Sequence, residues 1–440
     1  MIVATETHPL AVNHKSDIIH LESELLCLCD LCGQSPFPEP PLFYIRRAVI
    51  EDLSTLLKLA KMVHFINLPA DRDIISQKVI RSRNSFNAVA EGTAAVASQV
   101  LDKRPARSTS GSPGMGEITG HSELFVFVLA DAESSGCLGT SQLISCMGNP
   151  ESPNVCLRLE RREMFSSSLQ TGTSHTVARL YLDPTAPTEI GGLVLQPSYR
   201  GHPQKLGRFL SMVRFHFMGL HRSAFRDEIL AEMMGQITPD GHSLFWDSFG
   251  RRFIPLSYIE ADRLCQYSRE FIMSLLPRDD IYLSLLPPEA RAGVGQVGPE
   301  TVPARRLLEK LGFEFRGFVD PFDAGPYLHA TTDTIPLLKA TFPAPLGEPV
   351  AASRCKTPGI ISVLHDDGDF IAVNQPFLLD ESGRVRVTRE VLDTLKAEPG
   401  QQAGASDLTV LEPKLPVPIK EPKKSGHKVD GPPRRKARSS

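Results

Sequence analysis

The chain has 440 residues, 41% of them hydrophobic and 22% charged, a composition that excludes a wholly disordered or fibrous protein and a length that suffices for two to three domains at about 150 residues each. The net charge of −3 hides an asymmetry: residues 413–440 carry nine Lys/Arg against Glu421 and Asp430, a net of +7, which leaves residues 1–412 at −10, a sign unsuited to neutralising phosphates on nucleic acid. No uninterrupted apolar run reaches the roughly 18 residues of a membrane helix, and Met1 to Leu10 has charge and Pro9 in place of a secretory signal. The eight cysteines are therefore expected as reduced thiols in a cytoplasmic protein.

In chain order, Ile18 to Leu31 has helical spacing and is stopped by Pro36, Pro38, Pro40 and Pro41. It contains Cys27, Cys29 and Cys32. That spacing does not match a paired zinc-knuckle pattern, so thiols on an amphipathic helix are expected and no metal. Phe43 to Ala48 reads as a strand, and the acids Glu51 and Asp52 lead into an apolar stripe, Leu53, Leu56, Leu57, Leu59 and Ala60, at helical spacing. Lys103 to Gly120 is a Ser/Gly/Pro-rich insertion. Leu124 to Leu129 is a buried strand, and Cys137 to Cys146 reads as its hairpin partner across the turn residues Asp131 to Gly136.

The most informative stretch follows. An apolar strand, Leu193 to Leu195, is stopped by Pro197; a loop with Arg200, Gly201, Lys205 and Gly207 comes next, and then a helical pattern from Arg208 to Phe225. Strand, basic glycine-containing loop and helix present free backbone N–H groups and a positive helix end to an anion, so a phosphate-bearing ligand is expected there. The spacing is neither a P-loop nor a dinucleotide fingerprint, and an ordinary strand-to-helix turn has the same outline. Farther on, Leu307, Leu308, Leu311 and Phe313 form an apolar helix face that ends at Gly312 and feeds a strand from Phe313 to Val319; core packing accounts for them.

A set of collinear blocks resembles the arginine N-succinyltransferase family. They include Tyr44-Ile-Arg-Arg-Ala, Phe125-Val-Phe-Val-Leu, Thr188-Glu-Ile-Gly-Gly-Leu-Val-Leu-Gln-Pro-Ser-Tyr-Arg and Asp240-Gly-His-Ser-Leu-Phe-Trp-Asp-Ser-Phe-Gly. Phe271-Ile-Met-Ser-Leu-Leu-Pro-Arg, Pro303-Ala-Arg-Arg-Leu-Leu-Glu-Lys-Leu-Gly-Phe and Val319-Asp-Pro-Phe-Asp-Ala-Gly-Pro continue the series. The resemblance implies an α+β, GNAT-like acyl-CoA N-acyltransferase fold with a mixed, mainly antiparallel sheet flanked by helices, an arrangement in two similar lobes being left open. It divides the chain into an extension at 1–41, an acyltransferase domain at 42–345, a β-rich appendage at 346–402 and a disordered basic tail at 403–440. It also implies succinyl-CoA or a similar acyl-CoA as co-substrate, held by Leu193, Leu195, Arg200, Lys205, Gly207 and Arg208, with an arginine-like amine as acceptor. Assembly as a homo-oligomer or with a homologous subunit follows from the same likeness; no membrane is involved, and nucleic acid could engage only the basic tail.

Two departures from the family pattern bear on chemistry. The loop before Gly207 lacks the family's pair of glycines flanking an asparagine, and the position of the family's proton-donor histidine, in Gly295-Gln-Val-Gly-Pro, is Gly298. His242 and Tyr282 are the candidate substitute proton carriers. A guanidinium substrate calls for carboxylates, and Glu232, Asp320 and Asp323 are the candidates, with capping or ion-pair roles as their structural alternative. A catalytically weakened, acyl-CoA-binding regulatory homologue is the second functional reading.

Overall fold

A computed structural model describes residues 42–62, 68–94, 122–148, 153–265 and 267–412. The helical run from Ile18 with its three cysteines, the insertion from Lys103 to Gly120, and residues 413–440 lie outside the described residues.

Among the described residues one mixed sheet of fourteen strands dominates the fold. Its strands are β1 (Phe43–Arg47), β2 (Leu124–Asp131), β3 (Cys137–Ile144), β4 (Asn154–Ser166), β5 (Thr171–Asp183), β6 (Thr188–Leu195), β7 (Glu228–Glu232), β8 (Ile281–Tyr282), β9 (Glu314–Val319), β10 (Pro326–Thr331), β11 (Thr341–Pro345), β12 (Gly359–Leu364) and β13 (Phe370–Asn374). A separate two-stranded ribbon, β14 (Leu378–Leu379) with β15 (Val385–Arg386), precedes the last sheet strand, β16 (Gln402–Asp407). The order across the sheet is β11-β16-β12-β13-β1-β2-β3-β6-β7-β10-β9-β4-β5-β8. Every adjacent pair is antiparallel except β6 and β7.

The helices used below are α1 (Leu53–Lys61), α2 (Arg72–Ala90), α3 (Leu206–Leu220), α4 (Tyr258–Cys265) and α5 (Val302–Lys310). α1 buries Leu53, Leu56, Leu59 and Ala60, the stripe that its spacing predicts, against Val126 and Val128 of β2. α2 runs past the short end of β1. There the hydroxyls of Ser82 and Ser85 accept the N–H groups of Val126 and Leu124, bonds that a longer β1 would otherwise supply. Its Phe86 enters an aromatic cluster with Phe125 and Phe127 of β2, Phe217 of α3 and Phe370 of β13, at centroid separations of 5.1 to 5.8 Å.

The expected break at residue 345 is absent. β13 pairs with β1, and β16 with both β11 and β12, so the segment expected as an appendage is sewn into the main sheet. Residues 403–407, expected at the head of a disordered tail, belong to β16; Ala403 and Ala405 are buried there. α3 binds this part to the rest through His216, which is fully buried between the hydroxyls of Ser406 (2.6 Å) and Ser362 (2.7 Å). Burial without a counter-charge lowers its imidazole to about 3, so it is neutral and structural. Among the described residues Cys137, Cys146, Cys156, Cys265 and Cys355 are buried thiols, and no helix is long and apolar enough to cross a membrane.

Candidate functional site

The parallel pair β6 and β7 is joined only at Thr188–Ile229 and Glu189–Leu230. Beyond Glu189 the strands diverge while β6 stays paired with β3 on its other edge, through Gly191–Gln142, Val194–Thr140 and Leu195–Gly139. The register with β3 slips between Thr140 and Gln142, and Gly192 sits opposite the slip with φ +57°. A Cβ at Gly192 would lie 2.7 Å from the Gln142 amide, so both the backbone angle and the space require glycine.

The divergence opens a cavity of about 750 Å³. Leu193, Val194 and Leu195 line one side, Ala231 to Met234 the other, and Ala304, Leu307 and Leu308 of α5 part of the wall. Its basic end is the loop from Gln196 to Lys205 and the start of α3. Gln196 fixes the loop by donating its backbone N–H to Leu138 O and its side-chain N–H to Cys137 O, both at 2.9 Å. Lys205 has left-handed angles (φ 53°, ψ 46°), and α3 begins with no side-chain cap. The unfilled first turn of a fifteen-residue helix, beside Arg200, Lys205 and Arg208, is an anion-binding arrangement.

The opposite end is acidic. Glu232, Asp320 and Asp323 all line it, together with Tyr258 of α4. Asp320 and Asp323 also organise the chain. Asp320 Oδ1 accepts from the N–H groups of Phe322 (2.7 Å) and Asp323 (3.0 Å), while Asp323 accepts from Gly325 (2.7 Å) through Oδ1 and from Gly235 (2.9 Å) through Oδ2. Burial raises the Asp320 carboxyl well above the ordinary carboxylate range and pushes Asp323 up to about 6; their mutual proximity and Glu232 add to Asp320, and the N–H groups of Gly325 and Gly235 restrain Asp323. Glu232 Oε1 accepts from Asn154 (3.2 Å), whose Oδ1 accepts from Arg269 (2.6 Å).

Beneath these acids three glycines let backbones cross at close range. A Cβ on Gly325 would strike Met233 O and come within 2.6 Å of Gly235 N; one on Gly298 would lie 2.9 Å from Gly235 O. Gly298 N–H donates to Met234 O at 3.1 Å, so the position expected to lack a proton donor is tied by its main chain to a residue of the cavity lining.

The nine cofactor and substrate candidates, Leu193, Leu195, Arg200, Lys205, Gly207, Arg208, Glu232, Asp320 and Asp323, thus meet in one cavity. The two candidate proton carriers do not join them. His242 is exposed, 3.3 Å from Asp247 and 3.7 Å from Asp240. Tyr282 lies on β8 at the far edge of the sheet, opposite Val177, with its ring 5.8 Å from that of His175. Sequence reasoning missed Ser211 and Arg214, which line the cavity from α3, and Tyr258. The available signal was a charged residue set in the otherwise largely apolar run from Phe209 to Met218.

A sequence model of the family described as arginine N-succinyltransferase beta subunit matches residues 43–337. An arginine N-succinyltransferase of Yersinia pestis is 37% identical over 216 residues, 49% of this chain and 61% of the relative. The chain thus spans about three-fifths of that relative's length. The arginine N-succinyltransferase of Yersinia enterocolitica is 32% identical over 294 residues, 66% of this chain and 76% of the relative. Among solved structures, the arginine/ornithine succinyltransferase subunit AI from Pseudomonas aeruginosa is similar with a TM-score of 0.65 at 25% identity, covering 84% of this chain and 99% of that one.

Proposed function

The chain belongs to the arginine N-succinyltransferase family, with its GNAT-like α+β fold, and from that premise we propose that it transfers a succinyl group from succinyl-CoA to the α-amine of arginine or a related amino acid. The observation that carries the reading is the polarity of a single cleft: a basic, uncapped helix start at one end, carboxylates at the other and an apolar strand edge between them. That sequence of surfaces suits a co-substrate with phosphates at one terminus and an acceptor that is cationic.

Acyl transfer requires alignment of amine and thioester, stabilisation of the tetrahedral oxyanion, and removal of one proton from the amine while the thiolate departs. In this proposal Arg200, Lys205, Arg208 and the first-turn N–H groups of α3 hold the phosphates, and Leu193 and Leu195 pack along the acyl-bearing arm. The β7-facing edge of β6 beyond Glu189, left without a strand partner among the described residues, supplies backbone N–H groups to the thioester oxygen. Glu232, Asp320 and Asp323 attract the guanidinium and orient the amine. Gly298 offers no side-chain acid to the departing thiolate, an omission that lowers a rate by about 10²–10⁴ without removing the contribution of placement. His242 and Tyr282 lie outside the cavity wall and take no step. The beta-subunit description of the family extends the proposal to assembly with a second copy or a homologous chain.

The test is release of free thiol when the purified protein is incubated with succinyl-CoA and arginine, ornithine or lysine. Thiol release that depends on one of these amines supports the proposal. Release at background, together with measurable CoA binding, overturns it in favour of an acyl-CoA-binding regulatory homologue, the reading that the glycine at position 298 favours.

A further inference from the structure

Arg214 sits two turns into α3 on the face that also presents Gly207 and Ser211 to the cleft. It is buried, 3% exposed, yet lines the cavity. Its guanidinium donates to Ser211 O (3.1 Å), to Ser211 Oγ (2.8 Å) and, at 3.4 Å, to Gly191 O on β6. All three acceptors are uncharged, and a guanidinium has five N–H groups to satisfy. Among the described residues no carboxylate forms an ion pair with it, whereas the half-buried Arg46 is paired with Asp52 at 2.6 Å. Desolvation, with no acid to offset it, lowers its pKa to about 9, so it remains cationic near neutrality. An uncompensated buried charge of this kind is costly in an empty protein and becomes favourable only when an anion joins it.

The position identifies which anion. Arg214 reaches the carbonyl of Gly191, at the start of the free edge of β6, about 12 Å along α3 from its first residue by the helix rise of about 1.5 Å per residue. The acidic wall formed by Glu232, Asp320 and Asp323 belongs to the other side of the cleft. The anion that meets Arg214 therefore arrives with the thioester along β6. Resting on the acyl-CoA reading above, we propose that Arg214 is the residue that selects a dicarboxylic acyl group, by pairing with the free carboxylate at the distal end of the acyl chain. The second possible source, the α-carboxylate of the amino acid, is separated from the first in the test.

Wild-type protein is titrated with succinyl-CoA, with the uncharged butyryl-CoA of equal chain length, and with free CoA as reference, in a binding assay that needs no turnover. A charge-assisted, two-pronged carboxylate contact corresponds to a preference of about tenfold to a hundredfold for succinyl-CoA. In Arg214→Met the ratio of the two acyl-CoA affinities is expected to fall to about one, and in Arg214→Lys to an intermediate value, because a point charge replaces the planar fork. Failure of wild-type protein to bind free CoA would overturn the acyl-CoA reading itself. Binding of CoA with equal affinity for the two thioesters would overturn the assignment of Arg214 alone, and needs no variant. If Arg214→Met keeps the succinyl preference but loses the distinction between arginine and its decarboxylated analogue agmatine, the partner is the amino acid's carboxylate and the assignment is overturned.

Discussion

Gly325→Ala tests the architecture beneath the acidic wall. The Cβ would strike Met233 O, lie 2.6 Å from Gly235 N and 2.9 Å from Asp323 Oδ1. Two of these are main-chain atoms, so relief requires the β7 end and the Asp320–Gly325 turn to separate. That movement strains the two bonds that cross between them, Gly235 N to Asp323 Oδ2 (2.9 Å) and Met233 N to Pro326 O (3.1 Å). Overpacking costs about 1–3 kcal/mol and each weakened hydrogen bond about 1 kcal/mol, for a loss on the order of 3–5 kcal/mol. At about 2 °C per kcal/mol for a large domain, Tm should fall by roughly 6–10 °C. Because Asp323 is anchored at the same crossing, arginine-dependent thiol release should fall as well. Gly293→Ala is the control: its Cβ meets only Gln236 Oε1, at 3.7 Å, and the change should move stability by no more than about 1 kcal/mol. Thermal melts of both variants, followed by rates at saturating succinyl-CoA, make the comparison. A Gly325→Ala protein that melts with wild type and retains full rate would refute the close-packed crossing.

Leu193→Arg should weaken CoA binding at least tenfold in a direct titration, since Leu193 lines the cavity and packs against the core below it; unchanged affinity would place the cofactor elsewhere. Gly298→His restores the residue type that the resemblance implies, yet its Cβ would sit 2.9 Å from Gly235 O. It should therefore lower Tm, at a cost of about 1–3 kcal/mol, without a large gain in rate; a stable variant with a large gain contradicts the geometry. The raised pKa values of Asp320 and Asp323 set a pH dependence. A folded-state carboxyl above its unfolded value contributes stability at acid pH that is lost as pH rises through the folded pKa, about 6 for Asp323, because ionisation is disfavoured in the fold. A bound guanidinium offsets that loss, so the rise in Tm produced by arginine should be larger at pH 8 than at pH 5, and the difference should shrink in Asp323→Asn. An equal rise at both pH values would remove these acids from the substrate site.

Much of the fold was legible where periodicity is local. The α1 stripe, the β2 and β3 hairpin and the strand from Phe313 are found within a few residues of their expected bounds; α1 buries the apolar face that its spacing announces, and β2 buries the whole of its apolar run. The helix expected from Arg208 to Phe225 begins at Leu206 and stops at Leu220, where the chain turns toward β7. β4 and β5 gave little signal: from Arg158 to Thr176 the long hairpin is largely exposed on both faces, so no apolar alternation marks it. Joining of β13 to β1 depends on partners more than 300 residues apart, which no local pattern encodes. In the site, the basic loop was readable from its glycines and cations, and the acids from the resemblance. Arg214 was not, because its meaning lies in what it lacks, a carboxylate partner, and that is a property of the packed structure. His242 and Tyr282 were chosen for residue chemistry alone, and tertiary placement puts both outside the cavity lining.

The most direct measurement of the central claim is mass spectrometry with fragmentation of arginine recovered after incubation with the protein and succinyl-CoA. The expected product carries one succinyl group on the α-nitrogen and forms in proportion to the free CoA released. Arginine recovered unmodified, from a protein that binds succinyl-CoA and retains its native melting transition, would contradict that claim.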